Sequence, residues 1–203
     1  MLVVTFSILG LIWVLQPLDS QSLDFGVRFL VVAAMVASNI LHGDSARRIG
    51  IRLDNFSVAA RMTIRPTVAA GLVLTAVSVT LGLPEIDLQR TVVNFIYYVG
   101  WGFAQQYALQ GFVHLRLVDT GLGRLAPVCT AAVFALIHSP NPGLMTLVFL
   151  GGWLWSVLFR REPNLFALAI SHAFLAIVAD SMLPRTITGG FRLGPIYTAW
   201  MSQ

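Results

Sequence analysis

Uninterrupted apolar runs constrain this chain more than any other feature. They extend for about 16 to 21 residues between breaks, long enough for helices that cross a hydrocarbon core of roughly 30 Å, whereas the strands of a membrane barrel need only about ten alternating residues. The balance of residues agrees: 57% are hydrophobic and 11% charged, against about 25% charged in a typical water-soluble domain. A mean hydropathy of +0.78 leaves too few polar side chains to cover a soluble surface. The fold class is therefore expected to be all-α, a polytopic transmembrane helical bundle.

Run length and punctuation place seven spans, at about residues 2–18, 25–42, 66–83, 91–113, 125–139, 143–159 and 164–183. Leu83-Pro84, Ser139-Pro140-Asn141-Pro142 and Glu162-Pro163-Asn164 are the firmest breaks, because proline lacks an amide donor and pushes the residue before it out of helical geometry. The first run has no basic residue ahead of it, so it reads as a retained span and not as a signal peptide. No repeat, low-complexity tract or second soluble domain interrupts residues 1–203, which read as a single membrane domain. Residues 184–203, rich in Gly, Pro and aromatics, suit either a surface-lying terminus or an ordered, partner-binding tail.

All thirteen basic residues are arginines, and nine lie in three loops: Arg47, Arg48, Arg52, Arg61 and Arg65 after span two, Arg116 and Arg124 after span four, and Arg160 and Arg161 after span six. Cytoplasmic loops carry such an excess. The pattern predicts a cytoplasmic N-terminus in an integral protein of the cytoplasmic (inner) membrane, with membrane lipids as its first partners. The formal charge of +4 is scattered between spans and forms no continuous basic face, which argues against nucleic acid as a partner. Residues 44–65 mix arginines with Ile49, Ile51, Leu53, Phe56 and Val58, a pattern that suits an amphipathic interfacial segment or a plain basic loop. The single cysteine, Cys129, lies in an apolar run and reads as a small buried hydrophobe.

Polar side chains at membrane depth are the candidate functional residues, since a charge there costs about 2.5–3.5 kcal/mol on insertion scales. Span four carries Gln105, Gln106 and Gln110, span five ends in His138, and span seven carries His172 and Asp180. Gln106, Gln110 and His114 are spaced by four, as are His172, Ala176 and Asp180, so each set forms a stripe along one helix face. Hydrogen bonding between packed helices is the plain structural reading of any one of them. The histidines and Asp180 are chemically fit for zinc, but no HExxH-type spacing joins them, so no metal and no cofactor is expected. There is no GxSxG elbow for a serine nucleophile.

In order, AQQYALQGFVHLRL, FALIH and ISHAFLA resemble the CPBP membrane proteins, which include the type II CAAX prenyl endopeptidases and bacteriocin-processing enzymes. The resemblance covers about residues 90–185 and aligns the family's EExxxR with Gln105, Gln106 and Gln110, its FxxxH with Phe134 and His138, and its HxxxN with His172 and Ala176. It implies an intramembrane endopeptidase acting on a membrane-embedded or lipidated peptide, with Gln105, Gln106, His138 and His172 at the catalytic positions and Gln110, Phe134 and Asp180 near the substrate. The first motif departs from the pattern. A glutamine amide has no proton equilibrium near neutral pH and cannot act as a general base, and Gln110 supplies no arginine charge.

Two functions follow. One is endopeptidase chemistry resting on His138 and His172. The other is a non-catalytic descendant that binds a peptide, lipid or pigment, or serves as an accessory or scaffold subunit of a larger membrane complex, with Trp101, Phe103, Tyr107, Trp153 and Trp155 available to a partner or to lipid. A transporter is a weaker third class, because no inverted repeat or paired broken helix is evident.

Overall fold

The computed structural model describes residues 2–15, 21–82 and 88–203, and every regular element among them is helical. In chain order these are α1 (Leu2–Gly10), continued by a π-helical turn (Leu11–Leu15), α2 (Gln21–Leu41), α3 (Ala46–Ile49), α4 (Phe56–Leu81) and α5 (Leu88–Gln106). A second π-helical stretch, Tyr107–His114, joins α5 to α6 (Leu115–Asp119). Then come α7 (Ala126–Ile137), α8 (Pro142–Arg161), α9 (Leu165–Met182), α10 (Arg185–Thr188) and α11 (Gly194–Met201).

The distribution of side chains is that of a protein dissolved in lipid. Phe29, Leu30, Ile40, Ile64, Leu72 and Ile96 are exposed, while Gln106, Gln110, Thr130, Ser156 and Asn164 are wholly buried. In water this arrangement would leave a large apolar surface uncovered. In a bilayer it is the stable one, because polar groups must find their partners inside. Among the described residues α4, α8 and α9 are long and apolar enough to cross a membrane, and Gly26–Leu41 and Gly123–Ile137 are shorter apolar helices.

The expected start of the third span at residue 66 is ten residues late: α4 begins at Phe56 and carries Pro66 inside it. Half of the expected amphipathic segment is thus the first turns of a long helix. Proline is tolerated within such membrane helices, and Pro66 removes only the bond to the Met62 carbonyl. On the flanking turns Thr63 Oγ1 donates to the Ala59 carbonyl and Thr67 Oγ1 to the Thr63 carbonyl, both at 2.7 Å. Of the first span, residues 16–18 lie outside the described residues, as does the Leu83-Pro84 break.

The arginine-rich loops meet at one end of the bundle. Asp44, its side chain wholly buried, pairs with Arg116 and with Arg48 (2.6 Å), and Asp119 pairs with the same two arginines, closing a neutral ring of four charges. Asn39 adds a bond from Nδ2 to the Gly111 carbonyl at 3.1 Å and accepts from Arg116 at 3.0 Å. Beside this ring the Leu165 amide donates to the Gly50 carbonyl at 2.8 Å. Gly50 holds a left-handed φ of +88° with Phe159 pressed against it, a position closed to any residue with a Cβ. Further out, Arg52 Nε donates to Asp54 at 2.8 Å, and that bond holds the Asp54 carboxyl below its usual range.

The two proline breaks within the described residues are helix caps that also tie remote segments together. Asn164 Oδ1 accepts from the Ala167 amide at 2.9 Å to cap α9, and its Nδ2 donates to the Arg52 carbonyl and to Asn55 Oδ1. At the opposite end Asn141 Oδ1 accepts from the Leu144 amide at 3.0 Å to cap α8, and its Nδ2 donates to the carbonyls of Thr188 (2.8 Å) and Arg192 (3.1 Å). The Gly194 amide reaches the Ser139 carbonyl at 3.0 Å. Residues 184–203 are therefore an ordered segment folded against the α7–α8 turn.

Candidate functional site

The site forms where α5, α7, α8 and α9 converge, and small residues allow that convergence. Gly102 of α5 lies against the Ala169 carbonyl and the His172 side chain, and Gly152 of α8 lies against Ala131 and Phe134 of α7. With the backbones this close, His138, His172 and Gln106 are all buried.

Phe134 stands between the two histidines. Its ring meets His138 edge-on with centroids 4.7 Å apart, and His172 at 6.3 Å. His172 is further held by Trp155, whose indole stacks on it at 4.5 Å. Trp155 Nε1 in turn donates to Ser171 Oγ at 2.9 Å, and Ser171 Oγ shares a 2.6 Å hydrogen bond with Thr67 Oγ1. The aromatic expected to face a partner or lipid is thus a buried support of the histidine, whereas Trp101 and Trp153 are exposed.

Hydrogen bonding gives the two imidazoles opposite polarity. His138 Nδ1 lies 2.7 Å from the Phe134 carbonyl; a carbonyl only accepts, so Nδ1 carries the proton and Nε2 of the neutral ring is an acceptor. Gln106 Nε2 lies 3.2 Å from His172 Nδ1; an amide nitrogen only donates, so Nδ1 accepts and Nε2 of the neutral ring is a donor. One ring offers an acceptor and the other a donor, the complement of a peptide group.

The remaining sequence-predicted residues divide. Gln110 is wholly buried on the π-helical stretch, and neither amide atom has a hydrogen-bond partner among the described residues. Gln105 is half-buried and makes no hydrogen bond among the described residues. Asp180 does not join the site: it is exposed at the far end of α9. Each step of four residues advances an α-helix about 40° beyond a full turn, so the stripe that starts buried at His172 has rotated outward by Asp180. The other stripe stays together, with Gln106, Gln110 and His114 all buried, because π turns take up about one more residue each.

Among the described residues no group of three or more His, Cys, Asp or Glu side chains comes together. Residues that sequence reasoning passed over are Thr67, Thr130, Ser156 and Ser171. Small hydroxyls in apolar runs are too common to single out, and only the fold makes them neighbours of the histidines. An apolar groove of about 290 Å³ opens between α4 and α9, lined by Phe56, Thr63, Thr67, Phe95, Ser171 and Phe174 among others. Its floor at Ser171 adjoins His172 in the chain.

Neither curated proteins nor solved structures gave a match to this chain. A family model did: type II CAAX prenyl endopeptidase Rce1-like, over residues 87–178. That segment holds the glutamine run together with Phe134, His138 and His172, and of the glutamines Gln106 is the one bonded to a histidine. Residues 87–178 are thus similar to the Rce1-like type II CAAX prenyl endopeptidases, consistent with CPBP family membership, with Gln105 and Gln106 at the positions of the motif's glutamate pair.

Proposed function

We propose that this CAAX-protease-like membrane protein binds the backbone of a lipidated, membrane-delivered peptide without cutting it. The observation that carries this reading is the Gln106–His172 hydrogen bond, in which a neutral amide stands at a position that the family resemblance gives to a glutamate. Water activation requires a group with a proton equilibrium near the working pH. Gln106 has none, and Asp180 is exposed at the end of its helix. A donor and an acceptor on two neutral rings suit an amide group, and the apolar groove beside Ser171 suits the attached lipid chain. In this reading residues 1–203 form one membrane domain of seven spans in the inner membrane, with the arginine-rich end and the N-terminus cytoplasmic.

The second reading, endopeptidase, is favoured by one observation: His138 and His172 share the Phe134 ring. Purified protein in lipid nanodiscs, offered a fluorescent farnesylated CAAX-type peptide, separates the two. Binding without cleavage is expected, weakened about tenfold or more by Gln106→Leu or His172→Ala, with cleavage still absent in Gln105→Glu/Gln106→Glu. Cleavage by the unmodified protein that stops in His138→Ala and His172→Ala would establish the endopeptidase. Absence of both binding and cleavage, with a stoichiometric membrane protein co-purifying, would assign a scaffold role instead.

A further inference from the structure

The polar interior continues past the histidine site toward the arginine-rich end, and most of it has no protein partner. Gln106 Oε1, both amide atoms of Gln110, His114 Nε2 and Ser156 Oγ are buried with no hydrogen-bond partner among the described residues. They sit on two facing elements, the α5–π stretch and α8. An orphaned buried polar atom costs on the order of tenfold in the folding equilibrium, and in a bilayer no solvent relieves it.

Contacts fix their relative level. At one level Trp155 of α8 stacks on His172, which is bonded to Gln106. At the next, Phe159 of α8 meets the His114 ring edge-on at 6.0 Å, and His114 Nδ1 bonds Thr130 Oγ1 at 3.0 Å. Gln110 lies midway between Gln106 and His114 on one element, and Ser156 lies between Trp155 and Phe159 on the other. Gln110 and Ser156 therefore lie at heights between the two levels, with Gln106 Oε1 and His114 Nε2 at the levels themselves. Gly152, one turn before Ser156, packs on Ala131 and Phe134, so Ser156 is directed into the bundle and not toward lipid.

We propose that Gln110, Ser156 and His114 enclose an internal hydration site, whose bound water joins the Gln106–His172 pair to His114. Each partner has the right valence: Gln110 donates and accepts, Ser156 does both, and His114 Nε2 takes whichever role its tautomer leaves. Buried waters make two to four such bonds. The site lies one level beyond the proposed peptide contact and stands whether that contact binds, cuts or does neither.

Radiolytic hydroxyl labelling of the unmodified protein tests it, because radicals formed from trapped water oxidise the side chains beside it. Phe159 and Phe112 are matched in chemistry and burial, at 2% and 1% exposed, and each belongs to an apolar cluster, but Phe159 meets the His114 ring whereas Phe112 packs with Val31 and Met35. Phe159 is expected to be oxidised at least fivefold faster than Phe112, and Ser156→Ala is expected to bring the two rates together while the protein stays monodisperse. Equal rates in the unmodified protein would overturn the proposal, as would a Phe159 rate unchanged in both Ser156→Ala and Gln110→Met. Should a variant fail to fold, the unmodified comparison decides alone.

Discussion

The indole of Trp155 lies flat against the imidazole of His172, with ring planes 7° from parallel. The stack and the Gln106 bond constrain His172 in two perpendicular directions: the indole fixes the plane, and the amide fixes rotation within it. Ser171 and Thr67 hold the indole in turn.

Trp155→Phe keeps an aromatic face but removes the bond to Ser171, and a net loss of about 1 kcal/mol is expected. Trp155→Ala removes the stack and opens a cavity, for about 3–5 kcal/mol. Unfolding in an SDS titration orders these variants. A Trp155→Phe variant as unstable as Trp155→Ala would mean that the indole hydrogen bond, and not the stack, supports the histidine.

The charge ring makes a second, graded prediction. Arg116 is nearly buried, with 7% of its side chain exposed, whereas Arg48 is 39% exposed. Arg116→Met strands the buried Asp44 with one partner and is expected to cost about 3 kcal/mol. Arg48→Met breaks two pairs and also takes one partner from Asp44, but the guanidinium it removes is solvent-screened, so a smaller cost of about 1 kcal/mol is expected. Removing both buried members in Arg116→Met/Asp44→Leu should recover much of the first loss, measured by thermal unfolding in detergent. No recovery would show that the ring's geometry, more than its charge balance, matters.

Asn141 has separable roles. Asn141→Asp retains an oxygen to cap α8 but loses the donor that reaches Thr188 and Arg192, so α8 should persist while the C-terminal segment loosens. Limited trypsin digestion reads this at Arg185 and Arg192, where cleavage should accelerate about tenfold or more, as expected for losing roughly 1.5–2 kcal/mol of local stability. Unchanged cleavage would mean that the Gly194–Ser139 bond alone suffices to hold the tail.

Gly143 makes a test of close packing at the same end. A Cβ there would collide with the Ile187 carbonyl, a backbone atom that cannot rotate away. Gly143→Ala is expected to displace α10 and lower stability by about 1–3 kcal/mol; a neutral effect in thermal unfolding would mean that α10 moves freely.

Much of this fold was legible because lipid imposes simple rules: apolar run length gave α7, α8 and α9 within about two residues, and the arginine loops do gather at one end. The misses came from local chemistry that run length does not register. Pro66 looked like a boundary, but α4 loses one backbone bond there and runs through it. Asp180 followed His172 at helical spacing, yet two successive drifts carried it to the surface. Motif order named Gln106, Phe134, His138 and His172, which the fold brings together; it did not name Trp155, Ser171 or Ser156, whose contacts cross from a neighbouring helix. Asn141 and Asn164 were noticed only as parts of breaks, although each is the residue that fastens its break to a distant segment.

The π-helical stretch Tyr107–His114 sets the phase of everything on either side of it. A one-residue deletion within it would rewind the segment toward α geometry and swing Gln106 relative to Arg116 by about 100°, taking either the histidine's partner or the charge ring's arginine off the interior. Point substitutions at Leu109 or Val113 change only packing. The length of this stretch is therefore under tighter constraint than most of its letters, and a change in count there would uncouple the two ends of the bundle without altering a single polar residue.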